Sequence, residues 1–201
     1  PMQLFQKYAP IDFDGIIGQP KAVRKARLII DRDGFDRGAF WIDANGQNNS
    51  GLGKSTLARV IANQLADNFF ITELDGASVD KRMVERIQSE AQIASWNCDK
   101  RFKVWIVNEA HAISAGALDL FLTFLEALPP YVVIIFTTTR KPDAGLFGDD
   151  NGPLMSRCYR ITLTNQGVSK AFAEYARDIA DRENLNGQPM ARYLRLAQDC
   201  N

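Results

Sequence analysis

Residues 48–56 read Asn48-Asn49-Ser50-Gly51-Leu52-Gly53-Lys54-Ser55-Thr56, the Gly-x-x-x-x-Gly-Lys-Ser/Thr pattern with one departure. The composition has a chemical reason. Backbone N–H groups must point inward at phosphate oxygens, and glycine lets the chain curl that tightly. The N-terminus of a following helix adds partial positive charge. Lys54 would reach the β- and γ-phosphates of a nucleotide, and Ser55 would offer its hydroxyl to Mg²⁺. The departure is Asn48, which stands where the first glycine belongs. Either Asn supplies the left-handed backbone there, or Gly46 is the equivalent glycine and the loop is two residues longer. A glycine-rich turn before a helix is the bland alternative, and a nearly complete motif in the right setting outweighs it.

A second polar cluster closes an apolar run, Val104-Trp105-Ile106-Val107-Asn108-Glu109. Parallel sheets present ligands at the carboxyl ends of their strands. Asn108 and Glu109 therefore fall beside the phosphate loop if their strand neighbours the one that feeds it. Glu109 is the candidate base for an attacking water. Asn108 occupies the position where P-loop proteins usually hold Mg²⁺ through Asp. It keeps an oxygen but loses a charge, which weakens metal binding. Taken alone, the cluster would read as an ordinary polar strand end.

The elements that must position these residues alternate. Apolar or β-branched strands are expected at Ala39–Ala44, Phe69–Leu74, Phe102–Val107, Tyr131–Thr138 and Arg160–Leu163. Helical spacing of apolar residues spans Ser55–Ala66, Asp80–Trp96 and the stretch from Ser114 to about Ala127, which stops before Pro129-Pro130. This order predicts a parallel sheet flanked by helices. After Thr164 the pattern becomes helical only, over Val168–Glu183 and Pro189–Cys200. The expected division is a nucleotide-binding domain at 1–164 and a helical lid segment at 165–201, cut short at Asn201.

Composition sets the outer limits. The chain has 201 residues, 46% of them hydrophobic, with 24 basic and 24 acidic side chains. Such a chain builds a real core. Zero net charge excludes coating nucleic acid through bulk charge, though not through a local basic face. Three cysteines without a CxxC, and the single histidine His111, argue against a zinc site and for a reducing, intracellular compartment. No apolar run is long enough for a membrane span.

The motifs together resemble clamp-loader-type AAA+ ATPases, close to the small subunits of replication factor C, over almost the whole chain. Tyr8-Ala9-Pro10 with Phe13-Asp14-Gly15-Ile16-Ile17-Gly18-Gln19 is similar to the family's opening box, although Ala9 replaces its Arg. Asn108-Glu109-Ala110-His111 resembles its DEAH-like Walker B motif. Glu73 to Ser78 resembles the ELNAS stretch, Leu120 to Glu126 with Pro129-Pro130 resembles the NALLKTLEEPP helix and turn, and Ser156-Arg157-Cys158 resembles the SRC motif.

The resemblance implies a P-loop NTPase (AAA+) fold followed by the start of an α-helical lid, with ATP and Mg²⁺ as cofactors. It implies that Tyr8, Pro10, Ile16 and Ile17 line an adenine pocket and that Thr138 is sensor 1. Arg157 would be an arginine finger acting on ATP held by a neighbouring subunit; the bland alternative is a surface salt bridge. Cys158 reads as core. The implied partners are other AAA+ subunits in an oligomer, a sliding clamp and primer-template DNA, in the cytoplasm or, in a eukaryote, the nucleus. Basic residues Lys21, Arg24, Lys25 and Arg27 share one predicted helix, with Val23, Leu28 and Ile29 as its apolar side. That helix is a candidate DNA face, or equally a solvated one; Arg82, Met83 and Arg86 mark the next candidate. The implied function is ATP-driven clamp loading. Asn48 and Asn108 keep a second reading open, a scaffold subunit with weak or no hydrolysis that supplies its finger to a partner. A third reading is another AAA+ DNA-processing ATPase.

Overall fold

The computed structural model describes residues 3–45, 51–93, 98–139, 153–185 and 187–199. Five strands form one parallel sheet: β1 (Gly38–Ala44), β2 (Ile71–Asp75), β3 (Lys103–Asn108), β4 (Val132–Thr137) and β5 (Tyr159–Leu163). Their spatial order is β2-β3-β4-β1-β5. Parallel neighbours need crossovers, and the helices supply them: α3 (Lys54–Leu65) follows β1, α4 (Lys81–Ala91) follows β2 and α5 (Ala115–Glu126) follows β3. A four-residue helix α1 (Leu4–Lys7) and α2 (Pro20–Ile30) precede the sheet; α6 (Val168–Arg182) and α7 (Met190–Asp199) follow it.

The sheet is covered on both faces, so its central strands are apolar throughout. All six residues of β4, VVIIFT, are buried. On one face Phe40, Ile42, Ile106 and Ile135 pack against Leu57 and Ile61 of α3 and Ala22 and Ala26 of α2. On the other, Trp41, Trp105 and Phe136 pack against Val84 and Ile87 of α4 and Phe121 of α5. Phe121 meets Phe136 edge-on with ring centroids 5.4 Å apart. A small third cluster, Ala173, Ala180 and Tyr193, joins α6 to α7.

Several expected boundaries shift for local reasons. Asn68–Phe70 forms a 3₁₀ turn, so β2 begins only at Ile71 and Phe69 points into solvent. Asp80 is the cap of α4, its carboxylate accepting the Met83 N–H at 2.8 Å, rather than its first residue. The helix ends at Ala91, and residues 94–97, which include Trp96, lie outside the described part. Tyr131 adopts φ 61°, which excludes it from β4. Leu28, expected on the apolar side of α2, is exposed; Ala22 and Ala26 form the buried face instead. Among the described residues no helix is long and apolar enough to cross a membrane.

Candidate nucleotide site

The chain leaves the carboxyl end of β1 for the phosphate loop, and the described residues resume at Gly51. Gly51 (φ 74°) and Gly53 (φ 93°) are both left-handed, and Gly53 directly precedes α3. A Cβ at Gly53 would meet nothing within 4 Å, so the constraint there is backbone conformation, with open space beyond it. Asn48, Asn49 and Ser50, three of the expected loop residues, lie outside the described residues.

Lys54 is the first residue of α3 and is 6% exposed. Burial lowers its pKa, and the charges of Glu109 and Asp43 oppose that shift. Its position adds a second cost, because the N-terminal end of a helix is the positive end of its dipole. A buried ammonium at that spot is stabilised by an anion brought to the same place, as phosphate is.

Ser55 and Asn108 meet. The Ser55 hydroxyl donates to Asn108 Oδ1 at 2.9 Å, and the Thr137 hydroxyl donates to the same oxygen at 2.9 Å. Asn108 Nδ2 donates to Glu73 Oε1 at 2.5 Å, and Arg59 grips Glu73 with two bonds of 2.8 Å. The strand adjacency on which the sequence reading made this meeting conditional is not what produces it. β1 and β3 are not neighbours, because β4 lies between them. The Ser55–Asn108 contact arises because α3 crosses over the sheet, packing on β3 and β4 as well as β1.

The site also relies on Gly76, in the turn after β2. A Cβ there would collide with the Glu109 carbonyl and sit 3.0 Å from that of Asn108. Only glycine allows the ends of β2 and β3 to approach this closely. Glu109 itself takes a left-handed conformation, φ 52° and ψ 49°. Its Oε2 accepts from the Thr139 hydroxyl at 2.7 Å and the Thr139 N–H at 3.2 Å, and lies 3.2 Å from His111 Nδ1. Thr138, buried at the end of β4, lies 3.1 Å from the same His111 nitrogen. Glu109, His111, Thr138 and Thr139 thus form one polar cluster beside Ser55 and Asn108. Thr139 and Thr137 were not singled out from sequence; their place on either side of Thr138, at the strand end, was the available signal.

A small apolar cavity of about 140 Å³ adjoins Gly53. Pro10, Ile16 and Ile17, three residues expected at an adenine pocket, line it together with Leu52 and Thr56. Phe172 and Tyr175 of α6 close it, which sequence reasoning missed. Tyr8, expected in that lining, is placed differently: its hydroxyl donates to Glu183 at 2.6 Å and its carbonyl accepts from the Tyr175 hydroxyl at 3.0 Å. Lys7 also donates to Glu183 at 2.5 Å, so the opening segment clasps the end of α6. The pairing holds Glu183 below the usual carboxylate range.

Arg157 lies elsewhere. It ends a 3₁₀ turn, Met155–Arg157, just before the start of the edge strand β5. Lys54 sits at the carboxyl ends of the same parallel strands, and the five residues of β5 put roughly 16 Å of strand between the two ends. Arg157 forms an ion pair with Glu126, the last residue of α5. Cys158 packs against the second core, where burial pushes its thiol up to about 12. On α2, Lys21, Arg24 and Lys25 are exposed, while Arg27 pairs with Asp14.

The donors present fit Mg²⁺-nucleotide. The protein needs to supply only one or two oxygens to Mg²⁺, with water and phosphate completing the octahedron. Ser55 Oγ and Asn108 Oδ1 are neutral oxygens already in contact. Lys54 and the left-handed Gly51 and Gly53 lie together at the N-terminus of α3, and the apolar cavity adjoins them.

A parallel sheet ordered β2-β3-β4-β1-β5, with a phosphate-loop motif after β1 and a carboxylate, Glu109, directly after β3, defines a P-loop NTPase of the AAA+ type. Residues 37–166 match the family described as DNA polymerase III, delta subunit. The chain belongs to that family and is a clamp-loader-type AAA+ protein. It is 27% identical over 205 residues to the DNA polymerase III subunit gamma/tau of Mycoplasma genitalium, covering 90% of this chain and 32% of that one. The gamma subunit of Buchnera aphidicola subsp. Schizaphis graminum is 29% identical over 68% of this chain and 42% of its own. The chain therefore spans less than half the length of these relatives. In fold it is similar to the Holliday junction branch migration motor RuvB of Thermotoga maritima, with TM-score 0.66, 20% identity, and 97% of this chain and 60% of that one covered. A gamma-subunit-related protein of the same organism gives TM-score 0.56 at 16% identity, covering 88% and 57%.

Proposed function

We propose that this chain is an ATP-binding subunit of a sliding-clamp loader, in which nucleotide and Mg²⁺ are held between the β1–α3 loop and the ends of β3 and β4. The observation that carries the reading is Lys54, a buried ammonium at the N-terminus of α3. Both its burial and the helix dipole oppose positive charge there, and a polyphosphate offsets both. The adjoining apolar cavity suits a flat, weakly polar base.

Each residue has a role in this reading. Lys54 holds the terminal phosphates. Ser55 and Asn108 hold Mg²⁺, which when bound neutralises phosphate charge. Pro10, Ile16 and Ile17 contact adenine, with Phe172 and Tyr175 coupling its presence to α6. Glu109 orients the attacking water and takes its proton, after exchanging its bonds to Thr139 for the water. Thr138 senses the γ-phosphate at the end of β4. Arg157, too far from Lys54 of its own subunit, serves the phosphate of a neighbour, which makes an oligomer necessary. The sliding clamp and primer-template DNA are the partners, with Lys21, Arg24 and Lys25 as one candidate DNA face and Arg82 on α4 as another. Residues 1–164 act as the nucleotide domain and 165–201 as its lid.

A second reading has one specific observation in its favour. Asn108 leaves the Mg²⁺ position without the usual carboxylate, which suits a subunit that binds nucleotide and hydrolyses it slowly while lending Arg157 to a partner. Mg²⁺-dependent ATP turnover, measured with and without primed DNA and clamp, separates the two. The first expects stimulated turnover that falls about 10²–10⁴-fold in Glu109→Gln. Turnover unchanged by that substitution rules Glu109 out as the base. Absent turnover with intact binding leaves the second reading standing.

A further inference from the structure

Arg157 is held by more than its own chain direction. Its Nε donates to Glu126 Oε1 at 3.1 Å, and Nη2 donates to the same oxygen. Nη1 donates to the Pro153 carbonyl at 2.7 Å. Guanidinium has five N–H donors in one rigid plane. Among the described residues three of them are taken, from two directions, and two are left.

These bonds fix the plane from opposite sides. Glu126 is the last residue of α5, and α5 is itself pinned at that end. Arg37, at the start of β1, donates from Nη1 to the Leu128 carbonyl at 2.7 Å, just beyond the helix. Pro153 belongs to the segment that turns into the Met155–Arg157 turn. The guanidinium is thus tied to α5 on one side and to its own turn on the other. A cavity of about 470 Å³ lies in front of it, lined by Arg37, Glu126, Ser156 and Arg157.

A finger that acts across an interface gains from arriving already oriented. A flexible side chain must lose rotamer freedom at each encounter, and a small misplacement is costly in rate. Resting on the reading of Arg157 as a trans-acting finger, we infer that Glu126 is its positioning residue. Glu126 touches no phosphate. It holds the Nε–Nη2 edge so that the remaining N–H groups face outward to the neighbouring subunit's nucleotide. The pair is not simply a helix-end ion pair, because Arg157 is also tied to Pro153, on the turn side. One ion pair at a helix C-terminus would need neither that second tie nor the shared oxygen.

The test uses the assembled complex with two kinds of subunit. Donor copies carry Lys54→Ala, so that they contribute a finger but no turnover of their own; acceptor copies carry Arg157→Ala, so that every finger comes from a donor. Turnover per acceptor is measured as kcat and KM for ATP with Mg²⁺. With Glu126→Ala in the donors, kcat should fall about 10–100-fold, the scale of a misoriented catalytic group, with KM little changed. Glu126→Gln, which keeps the accepting oxygen, should restore most of the rate. Arg157→Ala in the donors should cost at least as much as Glu126→Ala. Sedimentation of the complexes and thermal unfolding of each donor report whether the interface and fold persist. If Glu126→Ala donors support full turnover while Arg157→Ala donors do not, the inference fails and the finger reading survives. If Arg157→Ala donors also support full turnover, the finger reading fails and takes the inference with it. A loss of rate by Glu126→Ala that Gln does not restore, or that appears as a rise in KM alone, also overturns the positioning role.

Discussion

Replacing Asn108 with Asp tests the metal position from an unusual direction, because the environment of Asn108 is built for an amide. Its oxygen accepts from Ser55 and Thr137 at 2.9 Å each, and its nitrogen donates to Glu73 at 2.5 Å. A carboxylate keeps the first two bonds, loses the third and sets a negative charge against Glu73. A hydrogen bond to a charged group is worth about 1.5–3 kcal/mol. Two like charges at 4 Å repel by about 4 kcal/mol at an effective dielectric of 20. Glu73 is 31% exposed and doubly bonded to Arg59, so much of that repulsion is screened. Asn108→Asp should therefore destabilise the nucleotide-free protein by about 2–4 kcal/mol in the absence of divalent cations, a Tm loss of about 5–15 °C for a chain of this size. Mg²⁺ should return much of the loss, since paired carboxylates beside Ser55 become a cation site. The assay is thermal unfolding of both proteins in chelator and in millimolar Mg²⁺, with ATP affinity measured in parallel. A variant as stable as wild type in chelator would refute the Glu73 argument. A Mg²⁺ shift no larger than that of wild type would refute Asn108 as the metal position.

Other consequences follow from single contacts. Lys54→Met should abolish ATP binding while leaving the Tm of the nucleotide-free protein unchanged or a few degrees higher, because the lowered pKa of Lys54 reports a disfavoured charge; a large Tm loss in differential scanning fluorimetry would contradict this. Gly76→Ala should cost about 1–3 kcal/mol, since its Cβ collides with the carbonyl of Glu109, and chemical denaturation should show it together with weakened Mg²⁺-ATP binding. Cys158, with its thiol pushed up to about 12, should alkylate near pH 8 about 10³-fold more slowly than an ordinary cysteine. The same shift has a stability sign. The folded thiol stays protonated where the unfolded one ionises, so Cys158 contributes stability below pH 9 and loses it between about 9 and 12. Cys158→Ser should flatten that part of a stability–pH curve.

Local chemistry was legible in the sequence, and arrangement across the sheet was not. The β-branched run of β4 and the helical spacing of α3 and α5 announced themselves, because a strand buried on both faces and a one-sided helix leave different periods. Lys54, Ser55 and Glu109 could be singled out because phosphate chemistry restricts which residue types serve it. Strand order could not be read, since it depends on long-range pairing. Whether β1 neighbours β3 had to stay a condition; β4 lies between them, and α3 brings Ser55 to Asn108 instead. Tyr8 was placed in the cavity by its motif, yet the actual wall is Phe172 and Tyr175, more than 150 residues away in the chain. Gly76 carried a weak signal as a glycine inside a recognisable box. Glu126 carried none for its contact with Arg157, because a helix-end carboxylate is ordinary until the fold shows what faces it.

Equilibrium binding of ATP in the presence of Mg²⁺ tests the central claim most directly. Titration calorimetry on the wild-type chain and on Lys54→Ala supplies it. Saturable one-site binding by the wild type, lost in the variant, is the predicted result. Wild-type protein that takes up no heat-detectable ATP, or a variant that binds as well as wild type, would contradict a nucleotide site at the N-terminus of α3.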